Sequence, residues 1–273
     1  MVREITIGQY YYAESVIHKL DPRVKLMGTL IYVIALFIVN NILGYVAVAL
    51  VLAGAIRLSR VPLKFIVKGL RAVMIVLLLT VSLNLFLTPG LQLVHFWIFT
   101  ITLEGVKTSI FMALRLVMLI MGCSIMTLTT TPNNLTDGLE KSLKFLEFVK
   151  VPVHEVAMMM SIALRFIPIL LEETDKIMKA QAARGADFES GGVIKRAKNM
   201  VPILVPLFVS AFRRANDLAM AMEARCYRGG TGRTKMKPLR YQRNDIISYC
   251  FMAVFMVVVI LISTFATLPF ERF

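Results

Sequence analysis

Long apolar runs separated by short charged stretches characterise the first half of the chain. No formally charged residue lies between Lys25 and Arg57, and Asn40-Asn41 interrupts this run near its middle. One helix through the whole run would be far longer than the about 20 residues that cross a bilayer, so we predict two short helices joined by a turn. Further apolar helices are predicted at about 72–87, 108–127 and 246–268. The pattern therefore predicts about five membrane-spanning helices.

One apolar stretch is too short to interpret in this way. Residues 91–103 follow the turn signal Thr88-Pro89-Gly90 and contain the single tryptophan, Trp97. Aromatic residues of this kind gather at membrane interfaces. The stretch is predicted to be re-entrant, interfacial or the start of another span.

The distribution of basic residues predicts the orientation of the spans. Residues 57–71 contain five basic residues and no acidic one, whereas Lys107 is the single basic residue in 88–107. Cytoplasmic loops are rich in Lys and Arg, so the first segment and the N-terminus are predicted inside and the second outside. Residues 131–244 then lie in the cytoplasm, with 19 basic and 11 acidic residues (19 − 11 = +8).

This cytoplasmic segment is predicted to form three long helices, at about 133–149, 153–183 and 193–224. In the second and third, apolar residues recur on one face of the helix, so these two are amphipathic. We therefore predict an all-α integral membrane protein in which a cytoplasmic module of long amphipathic helices interrupts the membrane domain. The predicted parts are a membrane domain at 1–127, the module at 128–244 and a C-terminal transmembrane helix at 245–273.

Composition excludes several classes of protein. The 273 residues are 58% hydrophobic and only 18% charged, which is atypical of a soluble enzyme. The net charge of +14 suggests nucleic-acid binding, but the aromatic residues lie in apolar runs and not among the lysines, so no nucleic-acid partner is predicted. The three cysteines and three histidines are scattered, and Glu172, Glu173 and Asp175 have no nucleophile nearby. We predict no metal, no cofactor and no catalytic residue in this chain.

Two of the long predicted helices end in similar strings, Ala183-Arg184-Gly185 and Ala224-Arg225-Cys226. An arginine at a helix C-terminus is favoured by the helix dipole, so one interpretation is simple capping. The other is a pair of binding groups, because small neighbours leave each guanidinium open to a carboxylate or carbonyl of a partner. Two such groups indicate a partner with two similar surfaces.

Several strings along the chain point to a known family, namely IGQY (7–10), HKLDPRVKL (18–26), LTDGLE (135–140), VPVHE (151–155), ALRFIP (163–168), KAQAARGADF (179–188) and AMEARCYRGG (221–230). With these strings the sequence resembles the transmembrane T component of energy-coupling factor (ECF) vitamin transporters. The second Ala-Arg-small string often ends in Gly in the family, whereas this chain has Cys226. That difference concerns the geometry of the helix end rather than the arginine.

The resemblance implies a function and a set of partners. The long helices are coupling helices that lie across two ABC-type ATPase subunits, with Arg184 and Arg225 each in a groove of one ATPase. ATP is bound by those partners, and a vitamin is bound by a separate membrane S component. The implied location is a bacterial or archaeal cell membrane, with the N-terminus and the coupling module in the cytoplasm.

The rival hypothesis is a self-sufficient channel or secondary permease. Such proteins need polar or charged groups within the membrane, discontinuous helices or an inverted repeat. Arg115 and Asn84 are the intramembrane polar residues that support it, although Arg115 is also near enough to the outer end of its helix to snorkel.

Overall fold

The computed structural model describes residues 10–90, 92–96, 99–186, 188, 192–230, 236 and 238–265. Helices account for nearly all of the regular structure in these ranges. The elements are α1 (Val16–Lys19), α2 (Pro22–Ile38), α3 (Ile42–Ser59), α4 (Leu63–Leu87), β1 (Gln92–Phe96), β2 (Phe99–Thr102), α5 (Leu103–Thr129), α6 (Pro132–Ser142), a 3-10 helix (Lys144–Val149), α7 (Val153–Ala183), α8 (Val193–Ala224) and α9 (Arg243–Phe265). The predicted all-α membrane class is confirmed.

In the part of the chain that the structure describes, four helices are long and apolar enough to cross a membrane, namely α3, α5, α7 and α9, and the two parts of α4 make a fifth if they form one span. The predicted break at Asn40-Asn41 is confirmed, because α2 ends at Ile38 and α3 begins at Ile42. With 17 residues, α2 is shorter than the about 20 that cross a bilayer along its normal. Large apolar side chains such as Leu50, Leu79 and Val257 are exposed on these helices, as lipid-facing side chains are.

The structure differs from the sequence interpretation at α4 and at the segment that follows it. Helix α4 begins at Leu63, so Lys64, Lys68 and Arg71 lie on a helix and not in a loop. It bends by 61° between its parts Leu63–Arg71 and Val73–Leu87, which separates the basic part from the apolar part. The apolar stretch after Gly90 contains the antiparallel hairpin β1–β2, while Trp97 lies outside the described residues.

The predicted amphipathic helices agree closely with α7 and α8, whose bounds are those expected from the sequence. The helix predicted at 133–149 is divided instead into α6 and the 3-10 helix. Lys150 adopts a left-handed conformation (φ 60°) and ends the 3-10 helix, and Pro152 follows before α7 begins. An 18-residue stretch of α7 is apolar enough to cross a membrane, because its charged residues concentrate near its C-terminal end.

Two compact units make up the chain. The larger unit comprises the described residues within 8–138 and 239–273, and the inserted unit comprises those within 139–238. The predicted limits of the membrane and cytoplasmic domains concern location in the membrane and stay predictions.

The core of the larger unit is formed by α2, α3, α4, α5 and α9. Its members are Tyr32, Ala35, Leu36, Val39, Tyr45, Val48, Leu52, Val61, Ile66, Met118, Ile125, Leu128, Phe255 and Val259. Gly122 lies against Tyr32 so closely that a Cβ there would be 2.3 Å from Cε1 of the tyrosine ring. The hydroxyl of Tyr32 donates to the carbonyl of Met118 at 3.0 Å, which pairs the polar end of this buried ring. Close approach at a glycine is a usual way for helices to pack where lipid surrounds them.

One carboxylate joins the N-terminal ends of α2 and α9. Asp245 is 1% exposed, and its two oxygens accept the backbone N–H groups of Asp21 at 2.9 Å and Gln242 at 2.7 Å. Asp21 in turn caps α2 by accepting the N–H of Arg23. Helix N-termini carry partial positive charge and unpaired N–H groups, so a buried carboxylate is stabilised between them.

Candidate partner-binding helix ends

Helix α7 ends in a complete Schellman motif. The N–H of Ala186 donates to the carbonyl of Gln181 at 3.0 Å, and the N–H of Gly185 donates to that of Ala182 at 2.9 Å. Gly185 has a φ of +87°, which favours glycine because it lacks a Cβ. Arg184 occupies the cap position between Ala183 and Gly185.

Helix α8 also ends in a Schellman motif. The N–H of Tyr227 donates to the carbonyl of Met222 at 3.0 Å, and the N–H of Cys226 donates to that of Glu223 at 2.8 Å. Arg225 is the cap residue, and its backbone angles (φ −90°, ψ 13°) nearly equal those of Arg184 (φ −86°, ψ 5°). The replacement of Gly by Cys therefore leaves the geometry of the end unchanged.

Cys226 keeps this geometry against a conformational cost. Its φ is 56°, in the left-handed region, where an ordinary side chain is disfavoured by about 1–2 kcal/mol. The two hydrogen bonds of the Schellman motif hold it there. The helix end is thus retained without glycine.

Both arginines are open to a partner. The six residues of the two ends are all exposed: Ala183, Arg184, Gly185, Ala224, Arg225 and Cys226. Each alanine removes side-chain bulk on one side of its arginine, as expected from the sequence. Within the described part of the chain, neither guanidinium has a hydrogen-bond or ion-pair partner.

The two helices run in opposite directions beside each other. Arg214 Nη2 donates to Glu173 Oε2 at 3.0 Å, and the Gln181 side chain donates to the carbonyl of Pro202 at 3.4 Å. As the residue number rises on α7, that of its contact on α8 falls. Arg184 and Arg225 therefore lie at opposite ends of the pair.

A second cluster in the inserted unit connects strings that carry the family resemblance. His154 Nδ1, at the start of α7, lies 3.0 Å from Glu140 Oε1. Gly230, after α8, packs on the same imidazole, where a Cβ would be 2.3 Å from Cδ2. Gly230 thus brings the end of α8 against the start of α7.

Two polar residues singled out in the sequence have partners within the chain. Glu173 pairs with Arg214. Arg115 does more than snorkel: it donates to Tyr45 Oη at 3.1 Å and to the Val39 carbonyl and Asn40 Oδ1 at 3.0 Å. The Arg115 side chain therefore satisfies a carbonyl at the C-terminal end of α2, next to the α2–α3 turn.

The apolar helices define a helical membrane protein, and its inserted unit carries two matched, exposed arginine ends. The chain belongs to the CbiQ family, because the family model, described as cobalt transport protein, matches residues 13–236. It is similar to proteins called energy-coupling factor transporter transmembrane protein EcfT. That of Clostridium kluyveri is 57% identical over 250 residues, covering 91% of this chain and 93% of the relative. That of Bacillus subtilis strain 168 is 48% identical over 246 residues, covering 90% and 93%. The resemblance predicted from the sequence is confirmed.

Proposed function

We propose that the chain is the scaffold and energy-coupling membrane subunit of an ATP-driven ECF-type importer of a vitamin or other micronutrient. It joins two ABC-type ATPase subunits to a substrate-binding S component in a bacterial or archaeal cell membrane. The carrying observation is that α7 and α8 end in the same motif, each presenting one exposed arginine. The names of the relatives, which are transporter transmembrane proteins, support this assignment.

The two helix ends suit a pair of similar ATPase subunits. Arginine presents a planar set of donors that binds a carboxylate or a row of carbonyls, and Ala183 and Ala224 leave room for the wall of a groove. Two points of attachment on one chain transmit a change in the spacing of the two ATPases, which a single point does not. Closure of the ATPases on ATP would in this way move α7 and α8.

The S component requires a surface on this chain that can bind different partners and that stays in contact when the partner moves. Met159 and Met160 on α7 are exposed, at 59% and 43%. Unbranched thioether side chains adapt to different partner surfaces. We assign this apolar part of α7 to the S component and the arginine ends to the ATPases.

The chain itself is proposed to be non-catalytic. ATP is bound and hydrolysed by the partner subunits, and no cofactor, metal or nucleic acid is assigned to the chain. The N-terminus and the inserted unit are assigned to the cytoplasm on the basis of the basic residues at 57–71 and 131–244.

The rival channel or permease loses its support from polar residues. Arg115 is bound to three groups at the α2–α3 turn. The side-chain amide of Asn84 donates to the Thr80 carbonyl of its own helix at 2.9 Å. These hydrogen bonds stabilise a turn and a helix of the chain itself, which accounts for both polar residues without a permeating solute.

Reconstitution in liposomes separates the two functions. A panel of radiolabelled B vitamins is offered to liposomes that contain the chain alone, or the chain with its ATPase pair and a vitamin-binding S component. We expect uptake only in the complete complex with internal ATP. Uptake by the chain alone contradicts the proposed function and supports the permease.

A further inference from the structure

Helices α7 and α8 repeat each other at a constant offset in residue number (225 − 184 = 41). Arg184 and Arg225 are 41 positions apart. Three further pairs at this offset have the same residue type, namely Ala183 and Ala224, Ala180 and Ala221, and Ile162 and Ile203. Glu173 and Arg214 are equivalent positions under the same offset. The common register is thus set by the matched C-terminal ends of the two helices.

The structure brings the equivalent positions 173 and 214 into direct contact. Arg214 Nη2 and Glu173 Oε2 are 3.0 Å apart, and the side chains are 39% and 27% exposed. Two antiparallel repeats meet at equivalent positions only where a two-fold axis passes between them. The pseudo-two-fold axis of the α7–α8 pair therefore runs through this ion pair.

The charges at this point are what a two-fold contact requires. If the two repeats had kept the same residue there, like charges would face each other across the axis and repel. Instead one repeat carries Glu and the other Arg. The neighbouring positions Glu172 and Arg213 are also opposite in sign, but both are exposed and no ion pair joins them in the described structure.

Both binding arginines are equally far from this point. Arg184 follows Glu173 at the same separation in sequence as Arg225 follows Arg214 (184 − 173 = 225 − 214 = 11). At about 1.5 Å per residue, each arginine lies about 16 Å along its own helix, in opposite directions. The spacing of the two ends depends on how firmly the helices are held where they meet.

We infer that the Glu173–Arg214 pair is a clasp that fixes the spacing of Arg184 and Arg225, so that both engage an ATPase pair at once. Glu173 and Arg214 are positioning residues, and they touch neither partner. This inference rests on the proposed function. Two linked points of attachment bind far more tightly than either alone only if their spacing is held to that of the partner.

The first test measures binding of the co-expressed ATPase pair to the full-length chain in nanodiscs. We expect Glu173→Arg to weaken binding about tenfold, since the spacing of the two ends is lost. The double variant Glu173→Arg/Arg214→Glu, which restores opposite charges in the reverse order, is expected to return the Kd to within about twofold of the wild type. The matched control Glu172→Arg/Arg213→Glu leaves it unchanged.

A chain with only one binding arginine distinguishes an effect on spacing from general damage to the helices. In a chain that already carries Arg225→Glu, only one end binds, and spacing no longer matters. Glu173→Arg should then have no further effect on the Kd. If Glu173→Arg weakens binding of the ATPase pair equally with one and with two binding arginines present, the inference is overturned.

The second test reads the spacing without any partner. Spin labels are placed at the exposed equivalent positions 179 and 220 (Lys179→Cys, Met220→Cys), after Cys123, Cys226 and Cys250 have been replaced by serine. Glu173→Arg and the milder Glu173→Gln should broaden the distance distribution, and the charge-swapped variant should narrow it again. Unchanged widths in both variants overturn the clasp. The spin-label test does not depend on the proposed function. That function is overturned by a different result, namely retention of the ATPase pair by the Arg184→Glu/Arg225→Glu variant.

Discussion

Reversal of both arginines, Arg184→Glu with Arg225→Glu, is expected to remove the ATPase pair from the purified chain. A charged, hydrogen-bonded group at an interface contributes about 2–5 kcal/mol when it is truncated, and reversal adds repulsion at both ends. Both side chains are exposed and have no partner in the described structure, so the chain itself should still fold. Loss of the favourable helix-end charge lowers stability by only about 0.3–1 kcal/mol at each end.

The measurement is the number of ATPase subunits that co-purify with each chain. Each single reversal should weaken binding, and the double variant should leave no ATPase bound. Lys176→Glu with Arg213→Glu is the matched control, because it makes the same change in net charge at exposed positions of the same two helices. Full stoichiometry in the double variant, or an equal loss in the control, contradicts the assignment of the two ends.

Asp245→Ala is expected to destabilise the larger unit strongly. It leaves the N–H groups of Asp21 and Gln242 without their acceptor at the ends of α2 and α9. A buried group that loses its partner costs about 1–3 kcal/mol, so the two together amount to about 4 kcal/mol. Thermal unfolding in nanodiscs should show a midpoint about 10 °C lower, at about 2–4 °C per kcal/mol.

Two further variants show whether the carboxylate is responsible. Asp245→Asn keeps one acceptor oxygen and should lie between the wild type and Asp245→Ala. Asn244→Ala changes the exposed neighbour on α9 and should melt like the wild type. A melting point for Asp245→Ala equal to that of Asn244→Ala shows that the junction contributes little.

Much of the fold follows from local patterns in the sequence. The charge-free run between Lys25 and Arg57 has room for two helices, and Asn40-Asn41 marks their turn, as the structure confirms. The bounds of α7 and α8 were predictable because apolar periodicity, proline and glycine all mark the same residues. These signals act within a few turns of helix.

Contacts between distant residues were not predictable in this way. Asp245 and Asp21 are 224 positions apart, and nothing in the local pattern pairs them. The sequence pattern changes from basic to apolar at about residue 72, but it does not show that the two parts form one helix with a 61° bend. The hairpin β1–β2 was missed because a short apolar stretch is compatible with a strand, a helix or an interfacial segment.

The candidate site was predicted in part. The tandem Ala-Arg-small strings identified both arginines, but the sequence left open whether Cys226 can stand where α7 has Gly185 without changing the helix end. The structure answers this through the left-handed φ of Cys226 and its Schellman hydrogen bonds. The Glu173–Arg214 ion pair was not predicted, because an offset in residue number does not show that equivalent positions touch.

Labelling of Cys226 by a water-soluble maleimide shows whether the end of α8 lies in a groove of an ATPase. Cys226 is exposed and adjacent to Arg225, and Cys123→Ser with Cys250→Ser leaves it as the single thiol. If the end of α8 lies in an ATPase groove, labelling in the complex should be about tenfold slower than in the chain alone, since only the unbound fraction reacts. Equal labelling rates with the ATPase pair bound at full stoichiometry contradict the account.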